Sequence, residues 1–481
     1  MRTRSTMTFA VTGITALAAI GLTPTTAGAA TNAAKPRAQA DFNGDGYPDL
    51  LITAPTTEVR GKANAGALAL LYGSAEGFRN DRAVVLDPSG PHVPPLKEMW
   101  DSHGKDHGDL DRDGYDDLIS GTNVYFGGKE PGFTGSAVLN PGSVLSPRTR
   151  VRDLKIGDLN GDGKPDAVVA VDNSVPGSEP TKTGIVAMFG PFDRTGKPAY
   201  KGTFRDTLAK DGFRPRGLAI ADMTGDGRSD IVVRDFHYPD GPIATLLTTS
   251  PTGALLPTGS KFATGDGPFE FGDINKDGYL DLVSGDPQAY SGPGSPEGEV
   301  HVTYGGPKGV HETLKPQVLV QGKDGIPGAD ESFDAWGRTV TVGDTNGDGY
   351  ADIVIGAPTE DGATDAQKDT GAITVLRGGP TGITGTGAKA LTQNSTGIPN
   401  TAEREDHFGS DVALIDSDKN GRPELYVGGY GEDAYTGRAW KLPISATGVI
   451  GGTGSTDFGL SDLTTRPEDY KSLRFGAVLY H

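Results

Sequence analysis

The 481-residue chain has no cysteine. That excludes a disulfide framework, a thiol nucleophile, cysteine-based metal sites and a lipid-attachment cysteine. Histidine is scarce at eight residues and no G-x-S-x-G elbow occurs, so no catalytic residue is assigned and no enzyme is expected. Helical periodicity is nowhere sustained for ten residues, and 73 Gly with 34 Pro leave no room for long helices. Basic residues are the minority, 44 against 63 acidic, for a net charge of −19. That balance argues against nucleic acid as a partner.

Only the start of the chain carries an apolar run. Arg2 and Arg4 precede a mostly apolar stretch from Phe9 to Leu22 and a small-residue region from Thr25 to Ala30. This is the pattern of a Sec-type signal peptide over 1–30, cut after Ala29 or Ala30. Thr12, Gly13 and Thr15 interrupt the run and leave it too short for a membrane anchor. The chain is read as a secreted, extracellular monomer without membrane insertion, bacterial by its export charge pattern and its Gly, Thr and Pro content. Without disulfides, such a chain depends on packing, closure and metal.

What the sequence has in abundance is one acidic loop. The nine-residue pattern D-x-[DNST]-x-[DN]-G-x-x-[DE] occurs seven times, starting at Asp41, Asp109, Asp158, Asp222, Asp273, Asp344 and Asp416. The spacings are 68, 49, 64, 51, 71 and 72 residues, which marks an array of similar units. Oxygens at positions 1, 3, 5 and 9, a backbone carbonyl at 7 and a turn-permitting Gly at 6 make a calcium-binding loop. The ligand sets are Asp41, Asn43, Asp45, Tyr47 and Asp49; Asp109, Asp111, Asp113, Tyr115 and Asp117; Asp158, Asn160, Asp162, Lys164 and Asp166; Asp222, Thr224, Asp226, Arg228 and Asp230; Asp273, Asn275, Asp277, Tyr279 and Asp281; Asp344, Asn346, Asp348, Tyr350 and Asp352; and Asp416, Asp418, Asn420, Arg422 and Glu424. Position 7 contributes only its carbonyl. Thr224, Asn420 and Glu424 depart from the commonest residues, so the fourth and seventh sites are expected to be weakest.

An EF-hand needs a bidentate Glu at position 12, and here that position holds Ile52, Ser120, Val169, Val233, Ser284, Ile355 and Val427. The EF-hand is therefore excluded. The loops hold 22 carboxylates at ligand positions, enough to account for the charge excess. Loss of Arg2 and Arg4 takes the net charge to −21, and seven Ca²⁺ would bring it back to about −7. Up to seven structural calcium ions are the expected cofactors.

Each loop runs into a β-branched segment such as LLITAP or IVIGAP, and an alternating strand ending in Gly follows in most units, as in GALALLYGS (66–74) and GAITVLRGG (371–379). The fourth and seventh units are degraded, with IATLLTT (243–249) and GRAWKLP (437–443). Units near 60 residues with four short strands each predict an all-β fold, a seven-bladed β-propeller filling 31–481. The Pro-rich stretches at 91–95 and 287–296 read as loops within blades.

Trp336-Gly337 before the sixth loop, Phe408-Gly409 before the seventh and Gly356-Ala357-Pro358 after the sixth resemble the FG-GAP repeat of integrin α subunits and related bacterial secreted proteins. Phe475-Gly476 near the C-terminus is the same landmark with no loop after it, whereas the first loop has no landmark before it. The strand at 475–481 is expected to complete the first blade and close the ring.

The resemblance implies an adhesion or recognition module for a protein or glycan, with structural calcium loops on the face away from the ligand. The variable connections at 75–108, with Trp100, and 429–474, with Tyr430, Tyr435 and Trp440, are the candidate ligand surface, though aromatics there also suit packing between blades. A polysaccharide- or lipid-acting enzyme on a propeller scaffold is the second reading, and a multivalent lectin the third. His103, Asp106 and His107 could hold a transition metal, but their setting reads as a solvated turn.

Overall fold

Seven four-stranded antiparallel sheets correspond to the seven units in the computed structural model. The structure describes residues 39–90, 92–94, 105–129, 131–139, 150–172, 183–207, 214–237, 241–288, 298–364, 367–463 and 470–481. The proposed signal peptide, Trp100 and His103 lie outside these residues, as does 289–297 of the second Pro-rich stretch.

Within each sheet the second strand follows directly from the acidic loop. These strands are Leu50–Ala54, Asp117–Ser120, Asp166–Asp172, Asp230–His237, Asp281–Asp286, Asp352–Ala357 and Glu424–Gly429. They are apolar without strict alternation because both faces are covered: every residue of Leu50–Ala54, Asp166–Asp172 and Asp352–Ala357 is buried. The units that look degraded in sequence nevertheless build full blades. In the fourth, Gly241–Thr249 pairs on both sides, and in the seventh Arg438–Leu442 does the same.

The first blade is assembled from both ends of the described chain. Its order is Leu479–Tyr480, Leu50–Ala54, Ala67–Leu71, Val84–Leu86, with Leu51 opposite Tyr480 and Ile52 opposite Leu479. Ring closure by the C-terminal strand is thus observed. The core is correspondingly circular. Seven hydrophobic clusters each join two neighbouring blades: Leu70 and Leu118 across blades one and two, Leu154 and Val186 with Ile119 across two and three, and so on to Leu50, Tyr426 and Phe475 across seven and one.

The aromatic–glycine landmarks have a packing cause. Trp336, Phe408 and Phe475 are fully buried, and Gly337, Gly409 and Gly476 share a left-handed backbone with φ of 88°, 86° and 85°. A Cβ on these glycines would fall 2.6, 2.5 and 2.4 Å from the carbonyls of Glu299, Ala372 and Arg438 in the preceding blade. Their own carbonyls press on Gly285, Gly356 and Gly428 of that blade, where a Cβ would approach to 1.9, 2.2 and 2.1 Å. Only Gly against Gly allows that contact.

Deleting 475–481 is expected to abolish the cooperative thermal transition, because it removes an innermost strand and opens the first blade. Phe475→Ala, which keeps the strand, should cost about 3–5 kcal/mol in urea denaturation. A truncated chain that melts like its parent would contradict this closure.

Candidate functional site

Each acidic loop enters the start of a second strand, and six of them leave the C-terminal end of an innermost strand, so all seven lie at one end of the ring. Their internal geometry repeats. The amide of the position-6 Gly donates to the position-1 carboxylate in all seven loops, at 2.7 to 3.0 Å (Gly46 to Asp41, Gly163 to Asp158, Gly421 to Asp416). The position-7 amide donates to the position-5 side chain at 2.9 to 3.2 Å in every copy. The loops are therefore chains of side-chain-to-backbone turns that gather oxygens at positions 1, 3 and 5.

In the second loop, the one with carboxylates at all three positions, Asp109, Asp111 and Asp113 bring one oxygen each within 4.8 Å. A set of hard oxygens of this kind fits a divalent cation such as Ca²⁺. Several loops carry a counter-charge on the same carboxylates: Arg194 bridges Asp111 at 2.7 Å and Asp113 at 2.5 Å, Lys164 holds Asp162 at 2.7 Å, and Arg228 pairs with Asp226.

Position 9 plays a part that ligand spacing did not reveal. Its side chain is buried in every loop. One oxygen accepts the position-2 amide in six loops (Phe42 to Asp49 at 2.7 Å, Leu110 to Asp117 at 3.0 Å) and the position-3 amide of Thr224 in the fourth. The other accepts the amide of the Gly that ends the third strand: Gly73, Gly127, Gly190, Gly305 and Gly378. A Cβ on any of those glycines would meet the position-8 carbonyl at 2.0 to 2.3 Å, which explains the terminal Gly of that strand. The fourth and seventh blades lack it. There Asp230 Oδ1 is buried without a partner, and Glu424 turns instead toward Lys441 at 3.8 Å.

Burial pushes Asp49, Asp117 and Asp281 up to about 8, Asp230 to about 7 and Asp166 to about 6, against the pull of their backbone hydrogen bonds. Burial also raises Asp41, Asp109 and Asp273.

A central cavity of about 1160 Å³ runs along the innermost strands, from Ala221, Val342 and Leu414 beside the loops to a mouth at the opposite end of the ring. Its mouth is formed by Asp266, Arg338 and Arg474 where chain enters innermost strands, by Tyr430 where it leaves a second strand, and by Glu299 and His301 at the start of a third strand, among others. His301 Nε2 lies 3.1 Å from Glu299 Oε2. Arg474 sits over the rings of Tyr430 and Tyr435, and Tyr430 stacks on His407 at 4.5 Å. Tyr430 thus reaches the candidate ligand surface, whereas Trp440 is wholly buried in a strand and serves packing.

Asp106 and His107 are not in a solvated turn. They lie buried in the innermost strand Lys105–Gly108, since the segment needs its backbone in the second sheet. His107 Nδ1 is 2.8 Å from Asp116, and Asp106 accepts the amide of Ile156 in the next blade at 2.6 Å. Asp153 does the same to Leu218 at 2.8 Å, and Asp411 to Leu479 at 2.9 Å. These clasps join neighbouring innermost strands, and sequence offered no periodic signal for them.

The family model described as FG-GAP repeat matches residues 38–71 and 336–376. The chain is similar to integrin alpha-6 of Gallus gallus, 34% identical over 158 residues, which cover 32% of this chain and 12% of that one. It is 28% identical to integrin alpha-5 of Xenopus laevis over 243 residues, 47% of this chain and 21% of that one. A shorter likeness, 39% over 87 residues, covers 18% of this chain and 10% of phosphatidylinositol-glycan-specific phospholipase D of Mus musculus. The matched region spans less than a quarter of each relative. The chain thus carries FG-GAP repeats at 38–71 and 336–376 within a seven-bladed β-propeller and is similar there to integrin alpha chains.

Replacing Asp153 with Ala leaves the Leu218 amide without its acceptor between two blades. The expected cost is about 1–3 kcal/mol in urea denaturation. A change below a few tenths would show that the clasp contributes nothing.

Proposed function

We propose that the chain is a secreted, calcium-stabilised propeller that recognises a protein or a glycan at the mouth of its central cavity, without turnover. The observation that carries this reading is the division between the two ends of the ring. One end repeats the same loop seven times, while at the other the central cavity opens among side chains that differ from blade to blade. Similarity to integrin alpha chains supports an adhesive or recognition role outside the cell. Among the described residues, no helix is long and apolar enough to cross a membrane.

The first three oxygen positions of each loop would hold the cation, with the position-7 carbonyl. A bound cation would offset the mutual repulsion of loop carboxylates that burial otherwise penalises when charged. A second reading, an enzyme acting on a polysaccharide or lipid, draws on the acidic and basic groups at the cavity mouth, Glu299 and His301 in particular. One central cavity fits poorly with a lectin presenting equivalent pockets on each blade.

A glycan and extracellular-protein array probed with the wild type and with Arg338→Glu and Tyr430→Ala variants tests the site. Selective binding weakened about tenfold or more by either substitution is expected. Release of a product from any bound ligand would favour the enzyme instead.

Calcium in place of EGTA should raise the melting temperature by ten degrees or more, on the scale of about 2.7 kcal/mol for each site filled at a hundredfold excess over its Kd. The pH trend follows from the raised carboxyls. A folded-state pKa above the ordinary value contributes stability at acid pH that is lost as pH rises through about 6 to 8. In EGTA the melting temperature should therefore fall between pH 5 and pH 8.5, and fall less in calcium. Equal melting in calcium and EGTA would refute the metal role.

A further inference from the structure

Blades six and seven carry the same buried carboxyl pair at the end of the ring away from the acidic loops. Asp334 faces Glu360, and Asp406 faces Glu432, each pair 26 residues apart. A glutamine thirteen residues before each Asp completes the cluster: Gln321 Nε2 donates to Glu360 at 3.0 Å, and Gln393 Nε2 to Glu432 at 2.5 Å. Asp334, Asp406 and Glu432 are at most 5% exposed, and Asp334 Oδ2 has no hydrogen-bond partner. Each Asp also sits between two left-handed residues. Phe333 and Ala335 have φ of 77° and 55°, and Glu405 and His407 have 66° and 55°.

Two carboxylates cannot remain in contact in such a setting while both are charged. The groups facing the first pair are Glu331, Asp361 and Asp369, all acidic, beside neutral Gln321. Those facing the second are Glu403 and Asp433, beside neutral Gln393 and Asn400, whose Nδ2 donates to Glu432 at 2.6 Å. Among the described residues, neither pair belongs to a group of three metal-ligating side chains. A proton is the remaining bridge that balances the contact.

We propose that Asp334–Glu360 and Asp406–Glu432 are proton-sharing latches that pin the strained segments before the sixth and seventh innermost strands and loosen as pH rises. Burial and the surrounding carboxylates push Asp334 up to about 8, and burial with the Asp406 charge pushes Glu432 to the same value. The remaining segment of this type holds a natural comparison. In the first blade Leu473 stands before Arg474 and Phe475 where the others have Asp, and Thr57 stands where they have Glu. Thr57 Oγ1 and Leu473 join there by uncharged hydrogen bonds at 3.2 and 3.3 Å. The segment before the closing strand is thus joined to the first blade without a carboxyl pair, while the two preceding blades carry one each.

Left-handed turns extend the strain behind the seventh-blade latch. Glu432 opens a turn in which Asp433, Ala434 and Tyr435 have φ of 54°, 56° and 66°. Non-glycine residues adopt that conformation only when held. Loss of the shared proton removes the hold and lets the segment relax at the cavity mouth, where Ala335 and Tyr430 lie.

The test uses the calcium-saturated full chain and the double variant D334N/E432Q, which supplies a permanent donor in place of each shared proton. Stability from a raised carboxyl is lost as pH climbs toward the folded value. Wild type should therefore lose several degrees more in melting temperature between pH 5.5 and 8.5 than the variant. Hydrogen exchange, corrected for intrinsic pH dependence, should accelerate at least tenfold in peptides covering 321–335 and 393–407 of the wild type and stay constant in the variant. A second variant, D334L/E360T, copies the first-blade solution and should flatten the exchange profile of 321–335 while that of 393–407 still accelerates, which keeps the test if the first variant fails to fold. Parallel pH profiles for wild type and both variants would overturn the proposal. So would calcium titration showing two fewer ions bound by D334N/E432Q, which would make the pairs cation sites.

Discussion

A carboxylate at the ninth position of each acidic loop is the joint on which every blade turns. It is the first or nearly the first residue of the second strand, it is buried, and in five blades its two oxygens are committed to amides from two other places. One amide comes from the loop and the other from the end of the third strand. Each hydrogen bond contributes about 0.5–1.5 kcal/mol, and leaving a buried partner unmet costs about 1–3 kcal/mol. Loop, second strand and third strand are therefore locked in one register.

From that joint the loops are sewn to their neighbours. The position-2 carbonyls of Phe42, Leu110, Met223, Ile274 and Ser417 accept amides from the next blade, those of Gly128, Phe192, Gly306, Gly379 and Ser74. In the fourth blade, where Thr249 replaces the terminal Gly, its hydroxyl bonds to Leu159 O and preserves the link. The belt at this end is thus built from backbone, with the acidic side chains turned outward for the cation. Metal and belt share one loop but use different atoms of it.

The fold was largely legible because its signals are local. A nine-residue pattern with a fixed Gly, the strand after it and the orphan Phe475-Gly476 each fit within a dozen residues. What escaped reading depends on partners far along the chain. Asp106, Asp153 and Asp411 find their acceptor roles 50, 65 and 68 residues away, in the next blade. Nothing local distinguishes them from solvated acids, so Asp106 and His107 resembled a turn. The fourth and seventh units looked degraded because their third strands lack the terminal Gly, yet side chains from Thr249 and Lys441 supply substitutes that composition does not announce. For the candidate site, the loop residues were visible and the cavity was not, since its lining is drawn from the non-repeating parts of all seven blades.

Two devices hold the inner edges of neighbouring blades together, and their distribution follows from where the ring is weakest. The Asp clasp joins blades two to three and three to four, and the Gly-on-Gly contact joins five to six and six to seven. The seam between seven and one has both, Asp411 on Leu479 and Gly428 against Gly476. This is the seam at which the C-terminal strand must dock before the first blade has its fourth member. Elsewhere a blade's innermost strand is held to its second strand by a loop of nine residues, which keeps the effective concentration of the two high even when a seam opens. In the first blade the two strands lie more than 400 residues apart, Leu479 opposite Ile52, and no loop restrains them. Doubling the noncovalent contacts at that seam compensates for the missing connection. The same logic accounts for the uncharged Thr57–Leu473 join. A closure that relied on a titrating pair would open the whole ring at the pH that loosens a single segment in blades six and seven.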